Sequence, residues 1–329
     1  MSFENIKLEK GLYTTTKGFS ASLEELDPSE NYIGTDFEGL DAFQRQLKRF
    51  DIKISGKGSD KVEKFFSTTD SAALFPEYIS RAVRQGIEEC DILSRIVATT
   101  TEINSLDYRA VSSVSDEDDK KPKIVVEGAY IPETRIETKD SVVSLKKRGR
   151  MLVSSYEAIK YQHLDLFTIT LKQIGKQIAL VFLKDAIEEL KKPGAKNVSC
   201  PIEDPISSGF LNAWIKLKPY NMTTIIGNHE TASYVLSASE FQDSVSGLNF
   251  NATGKMITPL GAEYITTDAA DIEGLIAFDK NCALEMIKAG GIQTEFDKLI
   301  DRQLERAAIT TTAGFSRIFS DAVVTISES

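Results

Sequence analysis

Glu127-Gly128-Ala129-Tyr130-Ile131-Pro132-Glu133-Thr134 opens the stretch whose reading decides the fold, and Lys191-Lys192-Pro193-Gly194 closes it. The opening segment is charged and extended in character. Two β-rich runs follow, around Ser141–Leu145 and Arg150–Ser154, where β-branched side chains favour a pleated strand. The period then changes. Phe167, Leu171, Ile174, Ile178, Phe182, Ala186 and Leu190 recur at steps of three or four, which predicts one amphipathic helix from Leu164 to Lys191. Asp165 in its first turn and Lys191 and Lys192 at its end complement the helix dipole, and Pro193-Gly194 stops it. At about 1.5 Å per residue such a helix is roughly 42 Å long. A polar hairpin feeding a helix of this length suits a subunit that packs on its neighbours better than it suits a compact enzyme, so the stretch points to assembly before chemistry.

Upstream, residues 1 to about 70 are polar and weakly periodic. Phe43, Leu47 and Phe50 support one helix from Asp41 to Phe50, and a short helix is expected around Val62–Phe66 beyond the breaker Gly56-Lys57-Gly58. This region is expected to lack a core of its own and to order against something else, such as another subunit. A helix then starts at Phe75-Pro76-Glu77, with Pro76 in the first turn where its missing N–H costs nothing. Ile92–Ala98 and Thr99–Ile103 read as β structure. Downstream of Gly194 the pattern is mixed. Phe210–Leu217, Thr223–Ile226, Gly254–Ile257, Gly261–Thr266 and Leu275–Phe278 read as strands, with helices at Asn228–Ser237 and Ser239–Val245. Phe296–Ile300, Arg306–Thr311 and Ala322–Ile326 read as further strands.

The bulk composition bounds the answer. The 329 residues suit about two domains, and 41% apolar with 27% charged residues is ordinary globular material. A net charge of −10 repels phosphate backbones, which excludes nucleic-acid binding as the main task. Basic clusters such as Lys146-Lys147-Arg148 are short and offset by nearby acids. Cys90, Cys200 and Cys282 form no CxxC pair and read as thiols in a reducing compartment. Met1-Ser2-Phe3-Glu4-Asn5 carries no signal-peptide pattern, and the longest candidate membrane run, Ile178–Leu183, is far too short, so no membrane partner is expected.

Chemistry is not legible. His163 and His229 are the two histidines, and His229-Glu230 lacks a second His at zinc-peptidase spacing. Gly247 to Lys255 imitates a phosphate loop, but Asn249 stands where the first Gly belongs and Met256 where the magnesium-binding hydroxyl belongs. The acidic run Asp116–Asp119 lacks the alternating ligands and central Gly of a calcium loop and reads as a solvated turn. Asn197-Val198-Ser199, Asn221-Met222-Thr223 and Asn251-Ala252-Thr253 match the glycosylation pattern without a secretory context. No strand-to-helix glycine fingerprint or nucleophile elbow occurs. No catalytic, cofactor-binding or metal-binding residue is assigned.

Glu127-Gly128-Ala129 followed by Ile131-Pro132-Glu133 resembles a signature of tailed-phage major capsid proteins of the Hong-Kong-97 type. Val142-Val143-Ser144-Leu145-Lys146-Lys147 and Leu152-Val153-Ser154-Ser155-Tyr156-Glu157 are similar to the strand and "VS.E" segment that follow it in that family. Leu74-Phe75-Pro76-Glu77 resembles the opening of the family's shell domain. Thr258-Pro259-Leu260-Gly261-Ala262-Glu263-Tyr264-Ile265-Thr266-Thr267-Asp268 and Ala277-Phe278-Asp279 resemble two of its later segments. The order agrees over about residues 74–329.

The resemblance implies an α+β, Hong-Kong-97-like capsid fold. Its parts would be an N-terminal arm at 1–73, the first part of a peripheral domain at 74–110, and an extended hairpin (E-loop) at 111–155. The spine helix would occupy 156–193, an axial domain 194–288, and C-terminal strands of the peripheral domain 289–329. It implies a major capsid (head) protein of a tailed phage or prophage, assembled in the bacterial cytoplasm and residing in the virion. Its partners would be copies of itself in hexamers and pentamers, portal and scaffold or decoration proteins, and enclosed double-stranded DNA held without sequence-specific binding. Some family members crosslink a hairpin Lys to an Asn of the peripheral domain. No Asn lies between Cys282 and Ser329, so no such crosslink is expected. Two other readings stay open: an encapsulin-type nanocompartment shell protein, and an enzyme with an unrecognised site in 194–288.

Overall fold

The computed structural model describes residues 6–13, 18–90, 92–105, 107–114, 124, 127, 135–138, 142–200, 209–237, 254–272, 274–299 and 301–327. Along the chain the helices are α1 (Phe19–Leu26), α2 (Ala42–Arg49), α3 (Thr69–Ala72), α4 (Phe75–Glu89), α5 (Ile92–Ile96), α6 (Tyr156–Tyr161), α7 (Leu164–Lys191), α8 (Leu211–Leu217), α9 (His229–Ser237) and α10 (Lys280–Ala283). The strands are β1 (Thr99–Ile103), β2 (Val111–Val114), β3 (Arg135–Thr138), β4 (Lys146–Ser155), β5 (Lys196–Ser199), β6 (Thr224–Gly227), β7 (Glu263–Thr266), β8 (Leu275–Phe278), β9 (Leu284–Ala289), β10 (Gln293–Leu299), β11 (Leu304–Arg317) and β12 (Val323–Ser327). The fold is α+β. It divides into two compact units: Met1–Cys90, Arg148–Ala179 and Ile292–Thr311 form the first, and Asp91–Lys147, Leu180–Gly291 and Thr312–Ser329 the second.

The first unit is built on the crossing of α4 with the leading part of α7. Gly86 and Gly175 make that crossing possible. A Cβ on Gly86 would meet the Lys172 carbonyl oxygen at 2.2 Å, and one on Gly175 would meet the Val83 carbonyl oxygen at 2.2 Å, so only hydrogen fits at either position. Beside the crossing, Phe75, Tyr78 and Phe167 stack with centroids 6.1–6.3 Å apart, and Phe65 packs on Phe75 and Tyr78 at 5.4 and 5.3 Å. Contacts of this kind add roughly 0.5–1.5 kcal/mol each beyond area burial. The Tyr78 hydroxyl donates to the Leu164 carbonyl (2.9 Å) and shares a hydrogen bond with Thr168 (2.7 Å), so the cluster has no orphaned polar group at that point.

Residues 18–53 fold around one buried cation. Arg45 is fully buried, and its guanidinium donates to the Asp27 carboxylate at 2.6 Å and to the Ser29 hydroxyl at 3.0 Å while lying 4.3 Å from the Tyr32 ring centroid. Asp41 caps α2 by accepting from the Gln44 N–H, and the Gln44 side chain returns a bond to the Asp41 N–H. Asp41 also takes an ion pair from Arg81 of α4, which pairs in turn with Glu77 (2.9 Å) and packs over Phe43 (4.4 Å).

Besides the β2–β3 pair, the second unit holds two larger sheet regions. β1 and β9 pair in parallel (Thr99 opposite Glu285), and β9 pairs antiparallel with the second part of β11 (Ile287 opposite Gly314). The other is a five-stranded mixed sheet in the order β5-β12-β8-β6-β7. α8 and α9 pack on it through Ala213, Leu217 and Val235, which share a core with Val198, Ile225, Tyr264, Ala277 and Ile326.

α7 runs Leu164–Lys191, the limits that its apolar period and its Pro193-Gly194 stop predict. By length and composition it is long and apolar enough to cross a membrane. Leu164, Phe167, Leu171, Phe182, Ile187 and Leu190 are nevertheless each 3% exposed or less, as a core helix requires. Within residues 6–13 and 18–73, Phe19, Leu23, Phe43, Leu47, Val62 and Phe65 are buried, and Phe65 packs on Phe75 and Tyr78 of α4, so this segment orders against another part of its own chain. Other expectations need correction. Ile92–Ile96 and Leu211–Leu217 are helices, although their β-branched and aromatic content reads as strand. β12 lies between β5 and β8, in a sheet whose other strands all fall within 194–288. Ser239–Val245 lies outside the described residues.

Two stability outcomes follow. Gly175→Ala forces the two helix backbones apart and costs about 1–3 kcal/mol or more, read as a fall in the thermal midpoint. Arg45→Ala leaves the buried Asp27 side chain without its cation, with only the Tyr32 hydroxyl among the described residues still donating to it, and costs about 3–5 kcal/mol; the readout is new protease cleavage confined to residues 18–53.

Candidate assembly surfaces

The hairpin begins where β2 and β3 pair antiparallel, Val111 opposite Thr138 and Val114 opposite Arg135. Both of its stems are anchored in the second unit. The Val143 N–H donates to the Tyr108 carbonyl at 2.8 Å, joining the outgoing and returning chains. Ala110, Val143 and Ile287 form a small buried cluster with Ile103, Tyr108 and Leu145 against it. The Tyr108 and Thr101 hydroxyls both donate to the buried Glu285 carboxylate, at 2.8 and 2.5 Å. Gly314 lets the returning stem approach β11, since a Cβ there would meet the Ser144 carbonyl oxygen at 2.8 Å. Lys146 then pairs with Asp185 of α7 at 2.7 Å and lies 3.7 Å from Glu188, on the wall of a cleft of about 340 Å³ that Val143, Ser144 and Phe315 also line. The hairpin is therefore rooted on both sides by hydrogen bonds, apolar packing and an ion pair. Between β2 and β3, Ile124 is 99% exposed and Glu127 is exposed. Asp116–Asp119 and Ile131–Thr134 lie outside the described residues.

The mixed sheet carries a second uncovered apolar surface. α8 buries Ala213 and Leu217 and leaves Leu211, Trp214 and Ile215 about half exposed, with the Lys218 ammonium 5.6 Å from the Trp214 ring.

Both histidines have partners among the described residues. His163 places Nδ1 2.9 Å from the Ser59 carbonyl oxygen, and His229 at the start of α9 pairs with Asp268. Asp279 is buried and accepts from the Asn281 and Asn221 N–H groups, each at 3.0 Å, which closes α10. Among the described residues no group of three or more His, Cys, Asp or Glu is placed to hold a metal ion. Gly247–Thr253 of the imitation phosphate loop lies outside the described residues. The sequence reading missed the hairpin anchors Tyr108, Glu285 and Asp185. Asp185 did carry a signal, since a carboxylate beside Phe182, Ala186 and Ile187 on a buried helix face needs a cation.

No protein-family model and no curated protein matches the chain. Solved structures do. The fold is similar to that of a virus-like particle from Pyrococcus furiosus, with a TM-score of 0.53 and 13% identity over 76% of this chain and 98% of that one. It is similar to the capsid of a native GTA particle (TM-score 0.55, 11% identity, 73% and 90% covered) and to the capsid of Cyanophage P-SCSP1u (0.52, 10%, 72% and 88%). At these identities the likeness is one of fold, and the fold is that of tailed-phage major capsid proteins.

Burial pushes the Tyr264 hydroxyl up to about 12, partly offset by its 2.8 Å hydrogen bond with Thr231. The unfolded chain ionises this group near pH 10, so its contribution to stability is complete below pH 10 and is lost as pH rises to about 12. Over that window the wild type is expected to lose about 2 kcal/mol more than Tyr264→Phe, measured from denaturation midpoints at stepped pH.

Proposed function

We propose that this chain is the major capsid protein of a tailed phage or prophage, assembling as pentamers and hexamers into an icosahedral shell around double-stranded DNA. The observation that carries this reading is the doubly rooted hairpin. Its base is fixed by Tyr108, Glu285 and Lys146–Asp185, while Ile124 between its strands is 99% exposed. Such an element gains its apolar burial from a second subunit. The fold, shared with the capsids above, supports the same reading.

In this reading the segment at 111–155 clasps a neighbour, α7 stiffens the subunit, and the β5–β8 sheet with β12 forms the part that meets copies around the symmetry axes. The uncovered Leu211, Trp214 and Ile215 suit a contact of that kind. Portal, scaffold and decoration proteins would be the further partners, and the virion the final location. A second reading, an encapsulin-type shell with a protein cargo, is favoured by one observation: the match to the Pyrococcus furiosus virus-like particle covers 98% of that chain. An enzyme site in 194–288 has less support, since the buried acid and tyrosine described there serve α10 and Thr231.

Replacing residues 115–134 by a short glycine turn keeps the pairing of β2 with β3. It is expected to leave the thermal midpoint of the subunit nearly unchanged and to abolish closed shells in negative-stain micrographs. Shells of normal number and size from this variant would refute the clasp. The content of wild-type particles, nucleic acid or a single copurifying enzyme, separates the two shell readings.

A further inference from the structure

Between Ala42 and Lys64 stand seven Lys and Arg against three Asp and Glu, a net charge of +4 in a chain whose net charge is −10. The fold of the first unit uses up the acids of this stretch. Lys64 bonds Asp51 and Asp60, each at 3.1 Å, and Lys160 pairs with Glu63 at 3.3 Å. Arg45 is consumed by Asp27, and Arg49 donates to the Ile6 carbonyl at 2.8 Å. Lys48, Lys53, Lys57 and Lys61 are left exposed, with no ion pair among the described residues.

These four are presented by rigid structure. The turn from Lys53 to Asp60 is closed by the Asp60 N–H on the Lys53 carbonyl (2.8 Å) and the Lys53 N–H on the Asp60 carboxylate (2.7 Å), with Gly56 and Gly58 in the left-handed region (φ 87° and 96°). The turn is fixed to the start of α7 by the Leu164 N–H on the Asp60 carbonyl and the Val62 N–H on the Gln162 carbonyl, at 2.8 and 3.0 Å. Two rings steady the cations. Lys48 lies 5.2 Å from the Phe37 centroid, and the exposed Tyr161 ring has Lys61 at 5.5 Å and Lys160 at 5.9 Å. A depression of about 740 Å³ opens between Phe37, Lys48, Arg49 and Lys53, with Asp36 and Asp51 also on its wall.

We infer that this face of the first unit binds the phosphate backbone of double-stranded DNA without regard to sequence. Charge complementarity selects a polyanion, and preformed, ring-steadied lysines bind one at little cost in side-chain ordering. An anionic membrane is the poorer occupant, because Ala42, Phe43 and Leu47 of α2 are buried and no apolar helix face is left there to insert. The inference rests on the shell reading for the identity of the polyanion, and it reconciles an acidic subunit with a nucleic-acid cargo: most of the surface repels DNA while one patch tethers it.

The test is fluorescence anisotropy of a labelled 20-bp duplex of mixed sequence with the purified full chain, from 50 to 300 mM salt. Binding is expected to weaken along a log–log slope of about −3 to −4, one step for each of roughly four phosphates. K53E/K57E should weaken binding at least tenfold. K184E/K280E, which changes the net charge equally, should leave it within about twofold. Equal losses in the two pairs, a slope near zero, or tighter binding to phosphatidylserine vesicles than to the duplex would overturn the inference. Both pairs are also assembled. Normal K53E/K57E shells holding wild-type amounts of DNA would sink the tether and leave the shell reading standing, whereas failure of the wild type to form shells would sink the shell reading instead.

Discussion

In the first unit the decisive constraint is steric: two helix backbones approach until a single methyl group at Gly86 or Gly175 would overlap a carbonyl oxygen of the other helix. At that separation the side chains flanking the crossing cannot all stay between the helices. Phe75, Tyr78 and Phe167 therefore gather to one side and stack, and Phe65 closes over them. The residues before α4 are held by what this stack exposes. Arg81, on the outer face of α4, collects Asp41, Glu77 and the Phe43 ring, and Asp41 is also the cap of α2. One close contact thus fixes the aromatic cluster, the cluster fixes α4, and α4 fixes the polar N-terminal segment.

α7 was legible in full because its apolar positions, terminal charges and Pro193-Gly194 stop all agree. α8 was not. Its buried residues Phe210, Ala213 and Leu217 have helical spacing, but Leu211, Trp214 and Ile215 put apolar side chains on the open face and erase the contrast on which a periodicity reading depends. The N-terminal segment hid its core for the opposite reason. Its centre is an arginine, and a sequence reading assigns arginine to water unless the partner is known. Asp27, which lies eighteen residues earlier, carries no mark that pairs it with Arg45.

Of the β-rich runs read at Ser141–Leu145 and Arg150–Ser154, the second lies in β4 while Val142–Leu145 is not strand, and neither the β2–β3 pair nor its anchors were legible. Tyr108, Glu285 and Asp185 come from three distant segments and meet only in the folded second unit. The basic face between α2 and the start of α7 was masked by averaging. Counted over the chain, acids outweigh it; the fold then pairs Asp51, Asp60 and Glu63 with Lys64 and Lys160 and leaves four other lysines facing outward.

The placement of β12 has a consequence for the order of events at the ribosome. Thr325 of β12 bonds Lys196 of β5 across 129 residues of sequence, and the same strand supplies the partner for β8. Until Val323–Ser327 has been translated, β5 has no neighbour on that side and β8 keeps an open edge, so the sheet cannot close on a nascent chain. A fragment truncated before this strand lacks the hydrogen bonds that join β5 to β8, and both strands keep edges that the full chain covers.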